Sequence, residues 1–276
     1  LRGGLLGGGH HFTLKGARGG GLGPKAMEGK WSRRLLKLGL GSSLTAFLGG
    51  LYYTYQRSLA QKFEQEWAAA PNKRQHLQEL HTVTFFQRDR QIAASDLQYG
   101  VVKLRKALLS LAEERVLETG VGSSNNLRFY DPAKVSAIDA VDYCDLALEQ
   151  ALGKETALPI RYHLQNCEQL QFAEDAFDTV VDTFGLNYYF DPRGVLREMR
   201  RVCRRDGLIL LLVSTVPEGE WWHRFYRLKQ PIHLGQYGRF TMRRWSAIFA
   251  QEKVDVIVEE GYCNGSIKLF VIKNSK

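Results

Sequence analysis

The segment Val116–Gly122 (VLETGVG) is a short apolar run that ends in a glycine turn. Glycine is needed in such a turn because the backbone reverses tightly and a ligand must approach it without a Cβ in the way. A strand, a glycine turn and a helix in this order are typical of the first unit of a parallel sheet. The segment therefore predicts an α/β domain with a ligand at the carboxyl end of its first strand.

An acidic residue closes the next apolar run. Val135–Ile138 ends in Asp139, seventeen positions after Gly122. A carboxylate at that strand end can accept hydrogen bonds from both ribose hydroxyls of an adenosine cofactor. The turn and the acid together do not distinguish a nicotinamide cofactor from S-adenosylmethionine (SAM).

Further motifs follow in a fixed order through Ser214. They are NCEQLQF at 166–172, FDTVVD at 177–182, LREMRRV at 196–202 and DGLIL at 206–210. The series resembles the "GDAE-LPF … FDxV … LREMxRVLKPGG" motifs of UbiE-like class I SAM-dependent methyltransferases. That resemblance implies a Rossmann-like α/β fold with a seven-stranded, mostly parallel sheet preceded by N-terminal helices. The final antiparallel hairpin would be formed by Val254–Val258 and Ile267–Ile272.

The resemblance also implies SAM as the cofactor and a set of cofactor-binding positions. Those positions are Glu118, Gly120, Gly122, Asp139, Ala140, Asn166, Cys167 and Asp182. Glu118 would face the ammonium of the methionine end, and Asp139 would hold the ribose. Ala140, Asn166 and Cys167 would border the adenine, and Asp182 would lie beside the methionine moiety.

Two positions depart from the family pattern. Ser124 stands where the family has a third glycine, and Asn166 stands where it has an aspartate. An asparagine can still accept a hydrogen bond from an amine through its carbonyl oxygen. Two functions therefore stay open: an active methyltransferase, which the acids at the cofactor positions favour, and a catalytically silent fold kept as an accessory subunit of a large mitochondrial complex, such as a respiratory complex or the ribosome.

No catalytic residue can be named from the sequence, because methyl transfer depends mainly on positioning an already activated methyl group. Aromatic and histidine residues cluster after the fourth and fifth predicted strands: Tyr188, Tyr189, Trp221, Trp222, His223, Tyr226, His233 and Tyr237. Such a rim suits an apolar acceptor, and it would equally suit a protein interface. His223 and His233 are candidate bases, although surface histidines without a named partner are the more common interpretation.

The beginning of the chain is basic and rich in glycine. Residues 1–34 contain seven basic residues and one acid, so they carry +6 of the formal net charge of +9. The remaining +3 is too small to indicate a nucleic-acid surface. A basic segment nearly free of acids resembles a mitochondrial transit region, and a low-complexity tail is the alternative.

The next segment, Leu38–Gln56, contains no charged residue and is close to the length that crosses a bilayer as a helix. It predicts a transmembrane helix over 35–56 in the mitochondrial inner membrane, with an amphipathic or buried helix as the alternative. Helical segments over 57–115 then lead into the SAM-binding domain at 116–276. We expect protein partners in a larger complex as well as the membrane.

The four cysteines do not form a C-x-x-C unit, so no metal site is expected. Each lies in or beside an apolar segment, which favours buried, reduced thiols.

Overall fold

The structure, a computed structural model, describes residues 24–276, with side chains from residue 43 onward apart from residue 95. Most of the predicted basic arm over 1–34 lies outside the described residues. Within them the α-helices are α1 (Pro24–Ala69), α2 (Lys73–Val83), α3 (Phe85–Gln98), α4 (Val101–Leu109), α5 (Asp145–Leu152), α6 (Pro192–Val202), α7 (Glu220–Tyr237) and α8 (Trp245–Gln251).

The strands form one sheet in the order β3-β2-β1-β4-β5-β7-β6. They are β1 (Glu114–Thr119), β2 (Val135–Asp142), β3 (Ile160–Leu164), β4 (Phe177–Thr183), β5 (Cys203–Ser214), β6 (Asp255–Tyr262) and β7 (Ile267–Lys273). The first five pair in parallel, and β7 is antiparallel to both β5 and β6. The predicted seven-stranded sheet with a final antiparallel hairpin is confirmed.

Strand β5 shows why the sheet is buried on both faces. Residues 209–213 are all inaccessible to solvent, and alternate side chains enter opposite core clusters. Leu210 and Leu212 pack in the cluster that contains α4, whereas Ile209, Leu211 and Val213 pack in the cluster that contains α6. A continuous apolar run is the pattern expected for a parallel strand covered by helices on both sides.

Helix α6 begins as its sequence predicts. Asp191 caps it by accepting a hydrogen bond from the Arg193 N–H at 3.1 Å, and Pro192 occupies the first helical position. Its buried residues are Val195, Leu196, Met199 and Val202, which lie on one face of the helix.

Within the region 57–115, where helical segments are predicted, residues 73–109 form the separate helices α2, α3 and α4. The division between α3 and α4 falls at Gly100, whose φ of +66° favours glycine. Helix α4 buries Val101, Leu104, Leu108 and Leu109 against the sheet. The N-terminal helices are therefore part of the α/β core.

The chain divides into two compact units, with the division between Thr54 and Tyr55, inside α1. In the first unit, the described side chains of 43–54 are exposed. In the second unit, Ala60 and Phe63 of α1 are buried, and Phe63 packs on α7 at Gly235, where an added Cβ would lie 3.0 Å from Phe63 Cβ.

The predicted transmembrane helix over 35–56 is not supported. The segment is helical as part of α1, but no helix in the described part of the chain is long and apolar enough to cross a membrane. The physical reason is composition: Gly49 and Gly50 add no apolar surface, and the tyrosines at 52, 53 and 55 carry hydroxyl groups. A membrane span requires a high mean hydropathy, and the absence of charged residues alone does not provide it.

The thiols largely follow the prediction. Cys144, Cys167 and Cys203 are buried and free, whereas Cys263 is free but exposed. Cys263 lies in the turn between β6 and β7 with a φ of +51°, so its neighbours in the hairpin do not cover it.

A matched pair of leucines tests the packing of α6. Leu196 is 1% exposed and Leu152, at the end of α5, is 66% exposed. We expect Leu196→Ala to lower the free energy of unfolding by about 2–5 kcal/mol, because it leaves a cavity in the core. Leu152→Ala should change it by less than about 0.5 kcal/mol. Urea denaturation of both variants measures the difference, and similar losses would contradict the described packing.

Candidate cofactor site

The glycine turn after β1 has left-handed backbone at both glycines, with φ of +60° at Gly120 and +54° at Gly122. A Cβ at Gly120 would lie 2.5 Å from the Tyr189 hydroxyl, whereas one at Gly122 would meet nothing within 4 Å. Gly120 is therefore required for both space and backbone conformation, and Gly122 for conformation alone. Ser124, at the third glycine position of the family, also has a left-handed φ of +58°.

A cavity of about 750 Å³, including the part open to solvent, lies beside this turn. It is bounded by the carboxyl ends of β1, β2 and β4 and by helix α3, which contributes Phe85, Arg88, Asp89 and Ile92. Ligands in open α/β sheets bind where the strand order reverses, and β1 is that strand, with β2 on one side and β4 on the other.

Glu118 lies on the wall of the cavity and is held firmly. Its carboxylate accepts hydrogen bonds from Asn126 Nδ2 at 2.9 Å and from the Tyr130 hydroxyl at 2.7 Å. Burial raises the pKa of Glu118, and these two hydrogen bonds together with the charge of Arg105 oppose that rise. The site thus offers a fixed carboxyl group that an ammonium could approach from the cavity.

Arg105 is a buried cation on the same wall that the sequence analysis missed. It donates to Asp96 Oδ2 at 2.8 Å, to Asn126 Oδ1 at 2.8 Å and to Thr183 Oγ1 at 2.6 Å. The sequence could have indicated this residue, because Arg105 lies four residues from both Val101 and Leu109 on the apolar face of α4. A charged residue at such a spacing must have buried partners.

Asp142, the last residue of β2, also lines the cavity and was not predicted. Its Oδ2 accepts a hydrogen bond from the Gly122 N–H at 2.9 Å, and its Oδ1 accepts one from the Cys144 N–H at 3.0 Å. Burial raises its pKa, while these two hydrogen bonds and the charge of Arg88 lower it. A carboxylate has about four acceptor sites, so two stay available for the hydroxyl groups of a ribose.

The predicted ribose residue, Asp139, does not line the cavity, whereas Asp142 does. Asp139 is bound by Arg161 at 3.0 Å and by His163 Nε2 at 2.7 Å. Burial alone would raise the pKa of Asp139, but these hydrogen bonds outweigh burial and lower it. The two acids differ in position because β2 continues past Ile138 to Asp142, and residues three apart in a strand face opposite sides.

The other predicted positions divide between the cavity and its surroundings. Gly120, Gly122 and Cys167 line the cavity together with Glu118. Cys167 is fully buried, burial raises the pKa of its thiol to about 12, and the Tyr189 hydroxyl donates to its Sγ at 3.3 Å. Its thiol is therefore neutral at physiological pH.

The other three predicted residues, Ala140, Asn166 and Asp182, do not line the cavity. Ala140 is buried within β2, and Asn166 Oδ1 accepts from the Glu168 N–H at 2.9 Å, so it closes its own turn. Asp182 lies behind the wall, where it accepts from the Leu186 N–H at 2.9 Å and from Thr119 Oγ1 at 3.0 Å. Asn166 and Asp182 thus hydrogen-bond to the backbone of the loops that contribute Cys167 and Gly185 to the cavity.

Helix α3 is attached directly to the glycine turn. Asp89 Oδ1 accepts hydrogen bonds from Ser123 Oγ at 2.5 Å and from Asn125 Nδ2 at 3.3 Å. Next to it, Arg88 donates to the His81 carbonyl at 2.9 Å and lies 5.1 Å from the centre of the Tyr188 ring. The helix thereby covers the cavity on the side away from the sheet.

A second, larger cavity adjoins the first and measures about 1770 Å³, including the part open to solvent. The two share Arg88, Ile92, Phe184 and Tyr188 as a common wall. Of the predicted aromatic rim, Tyr188, Tyr226 and His233 line this cavity, and Tyr189 lines the first. Trp221, Trp222, His223 and Tyr237 line neither cavity.

His233 is a neutral imidazole in this setting. Its pKa is lowered to about 4, first by burial and then by the charges of Arg239 and Lys229. Among the described side chains, no group of three or more His, Cys, Asp or Glu is placed to hold a metal ion.

The buried carboxyl group of Asp182 gives a pH prediction. Burial raises its pKa to about 7, above the unfolded value of 3.8, so the folded state keeps a proton that the unfolded state loses. Stability from this group therefore falls as pH rises from about 4 to about 7, by up to about 1.4 kcal/mol per pH unit. Subtracting the stability of Asp182→Asn from that of the wild type, by urea denaturation between pH 5 and 8, should show this decline and a plateau above pH 7.5. A constant difference would contradict it.

Comparison with known proteins agrees with this geometry. Residues 117–211 match the family model described as "Methyltransferase domain". The uncharacterized methyltransferase YcgJ of Bacillus subtilis is 27% identical over 150 residues, which cover 52% of this chain and 58% of that protein. The ubiquinone/menaquinone biosynthesis C-methyltransferase UbiE of Bdellovibrio bacteriovorus is 32% identical over 113 residues, 40% of this chain and 48% of that protein.

Among solved structures, the S-adenosylmethionine dependent methyltransferase from Mesorhizobium loti is similar in fold, with a TM-score of 0.51 at 14% identity. The similarity covers 62% of this chain and 96% of that one. The chain spans about half the length of the curated relatives it matches. It therefore contains a UbiE-like domain of the class I SAM-dependent methyltransferase family, which implies SAM as its cofactor.

Proposed function

We propose that the protein binds SAM in the first cavity and transfers its methyl group to an acceptor held in the second. The observation that carries this proposal is the pair of carboxyl groups at Glu118 and Asp142, which flank the glycine turn on one cavity wall. One suits the ammonium of an amino acid and the other suits a ribose diol. A cofactor that joins an amino acid to a nucleoside needs both.

The residues that line the first cavity fit SAM in a consistent order. Glu118 would bind the ammonium, Asp142 the ribose hydroxyls, and Tyr143, Cys144 and Cys167 would surround the adenine. Bound SAM supplies a methyl group on a positively charged sulfur, which leaves as the neutral thioether of S-adenosylhomocysteine. The contribution of the protein is to hold the acceptor in line with that methyl group and to exclude water.

The shared wall between the cavities supports a small-molecule acceptor. Arg88, Phe184 and Tyr188 border both spaces, so an acceptor in the second cavity would approach the cofactor past them. His233 also lines the second cavity, but its pKa of about 4 makes it a weak proton acceptor at neutral pH. A catalytically silent accessory subunit is the alternative, and the buried carboxyl groups at the cavity favour binding of the cofactor instead.

The proposed location rests on the sequence. The basic, glycine-rich residues 1–34 support a mitochondrial address and contact with other proteins there. The mitochondrial location and the protein contacts stay predictions, and no membrane-spanning helix is proposed.

A matched pair of aspartates tests the assignment of the ribose site. Asp142→Asn should weaken SAM binding by about 10-fold or more, because a carboxylate hydrogen-bonded to a hydroxyl is worth about 1.5–3 kcal/mol. Asp139→Asn should leave the Kd for SAM within about 2-fold, since Asp139 faces Arg161 and His163 outside the cavity. Calorimetric titration measures both. The reverse order of effects would overturn the assignment, and no binding to the wild type at millimolar SAM would overturn the proposed function.

A matched pair of glycines tests the shape of the turn. Gly120→Ala and Gly122→Ala carry the same left-handed strain, but only the Cβ at residue 120 collides with the Tyr189 hydroxyl. We expect Gly120→Ala to lose far more SAM affinity than Gly122→Ala, and Gly120→Ala/Tyr189→Phe to recover part of the loss. Equal losses in the two single variants, with no recovery in the double variant, would show that the described contact is wrong.

A further inference from the structure

The second cavity has an unusual combination of side chains on its wall. Tyr99, Phe225 and Tyr226 contribute aromatic surface, and Lys229 and Arg239 contribute positive charge. Arg88 adds a third cation at the wall that the two cavities share. A wall that is both aromatic and cationic is suited to a ligand that is apolar over most of its surface and anionic at one point.

These cations form no close ion pair with a described carboxylate, although the charge of Arg88 acts on Asp142. Within the part of the chain that the structure describes, no Asp or Glu carboxylate forms an ion pair with Arg88, Lys229 or Arg239. The carboxylate that lines this cavity, Asp96, is already bound to Arg105 at 2.8 Å. Positive charge on a partly enclosed wall without a counter-charge favours an anionic ligand.

The hydrogen bonding of Arg88 and Arg239 also favours an anionic ligand. The Nε atoms of Arg239 and Arg88 are buried and have no hydrogen-bond partner among the described residues. Arg239 donates through its terminal nitrogen to Ser214 Oγ, which fixes the guanidinium at the end of β5. Lys229 Nζ lies 4.5 Å from the centre of the Phe225 ring. The unused donor of a fixed guanidinium is the kind of group that binds a carboxylate or phosphate.

The positions of these side chains also orient a ligand in the second cavity. Lys229 and Arg239 line only the second cavity, whereas Arg88 and Tyr188 face both. An anion at Lys229 and Arg239 would thus leave the apolar body of the ligand between the aromatic rings, with its other end toward the shared wall.

We infer that the methyl acceptor is a small aromatic or otherwise apolar molecule with a carboxylate or phosphate group, and that Arg239 and Lys229 bind this anion. The inference rests on the proposed methyltransferase function, because it assigns the second cavity to the acceptor. The negative charge distinguishes this acceptor from a purely apolar one.

Direct binding of non-reacting probes tests the inference. The probes are 2-naphthoate, 2-naphthyl phosphate and the neutral 2-naphthamide, titrated against the full chain in the presence of S-adenosylhomocysteine and followed by fluorescence. We expect at least one charged probe to bind 10-fold or more tightly than the amide. The two charged probes distinguish a carboxylate from a phosphate preference.

Variants locate the anion. Arg239→Gln and Lys229→Gln should each reduce the preference for the charged probe several-fold, and their combination should abolish it. Arg227→Gln is the control, because it removes the same charge from an exposed position of α7 that lines neither cavity. Lys229 is exposed, so its variant stays informative if Arg239→Gln fails to fold, which thermal melting would reveal.

Three results would overturn the inference: no preference for either charged probe, an equal loss in Arg227→Gln, or a preference that survives the double variant. Titration of SAM alone separates this failure from that of the proposed function. Tight SAM binding without an anion preference leaves the methyltransferase and removes the anionic acceptor. Anion preference without SAM binding removes the methyltransferase, and with it the acceptor role of the cavity.

Discussion

The carboxylate of Asp142 joins the two turns on which the cofactor site depends. One oxygen accepts from the Gly122 N–H in the turn after β1, and the other accepts from the Cys144 N–H in the turn after β2. These turns lie beside the point where the strand order reverses, so their separation sets the width of the cavity. The strict requirement for glycine at residue 120, close to Tyr189, fixes the opposite wall. Glu118, Asp142 and the glycine turn thereby form one rigid surface.

Much of the fold could be predicted from the sequence because the motifs occur in a fixed order along strands buried on both faces. The site could be predicted less well. Asp139 and Asp142 are both acids at the end of an apolar run, and the choice between them depends on how far β2 extends, which Ala140 and Val141 decide by being buried. Asn166 and Asp182 have loop-stabilising partners that only the tertiary structure reveals. Absence of charge over 38–56 was similarly insufficient to predict a membrane span.

The second cavity is lined largely by residues outside the segment that matches the methyltransferase family. Residues 117–211 supply most of the five parallel strands and the glycine turn, whereas α3, α7 and the β6–β7 hairpin supply most of the second cavity. A shared family therefore implies a shared cofactor more strongly than a shared acceptor. Arg105 illustrates the same division, because a residue of α4 ahead of the matched segment binds Asn126 and Thr183 beside the cofactor cavity.

The central claim is that SAM lies along the wall formed by Glu118, the glycine turn and Asp142, with its sulfur toward Arg88 and Tyr188. A crystal structure with S-adenosylhomocysteine tests this claim most directly. It should place both ribose hydroxyls within about 3 Å of the Asp142 carboxylate, the amino group at Glu118 and the sulfur at the wall shared with the second cavity. A nucleoside bound at Asp139, or a ligand that turns its sulfur away from the second cavity, would contradict the account.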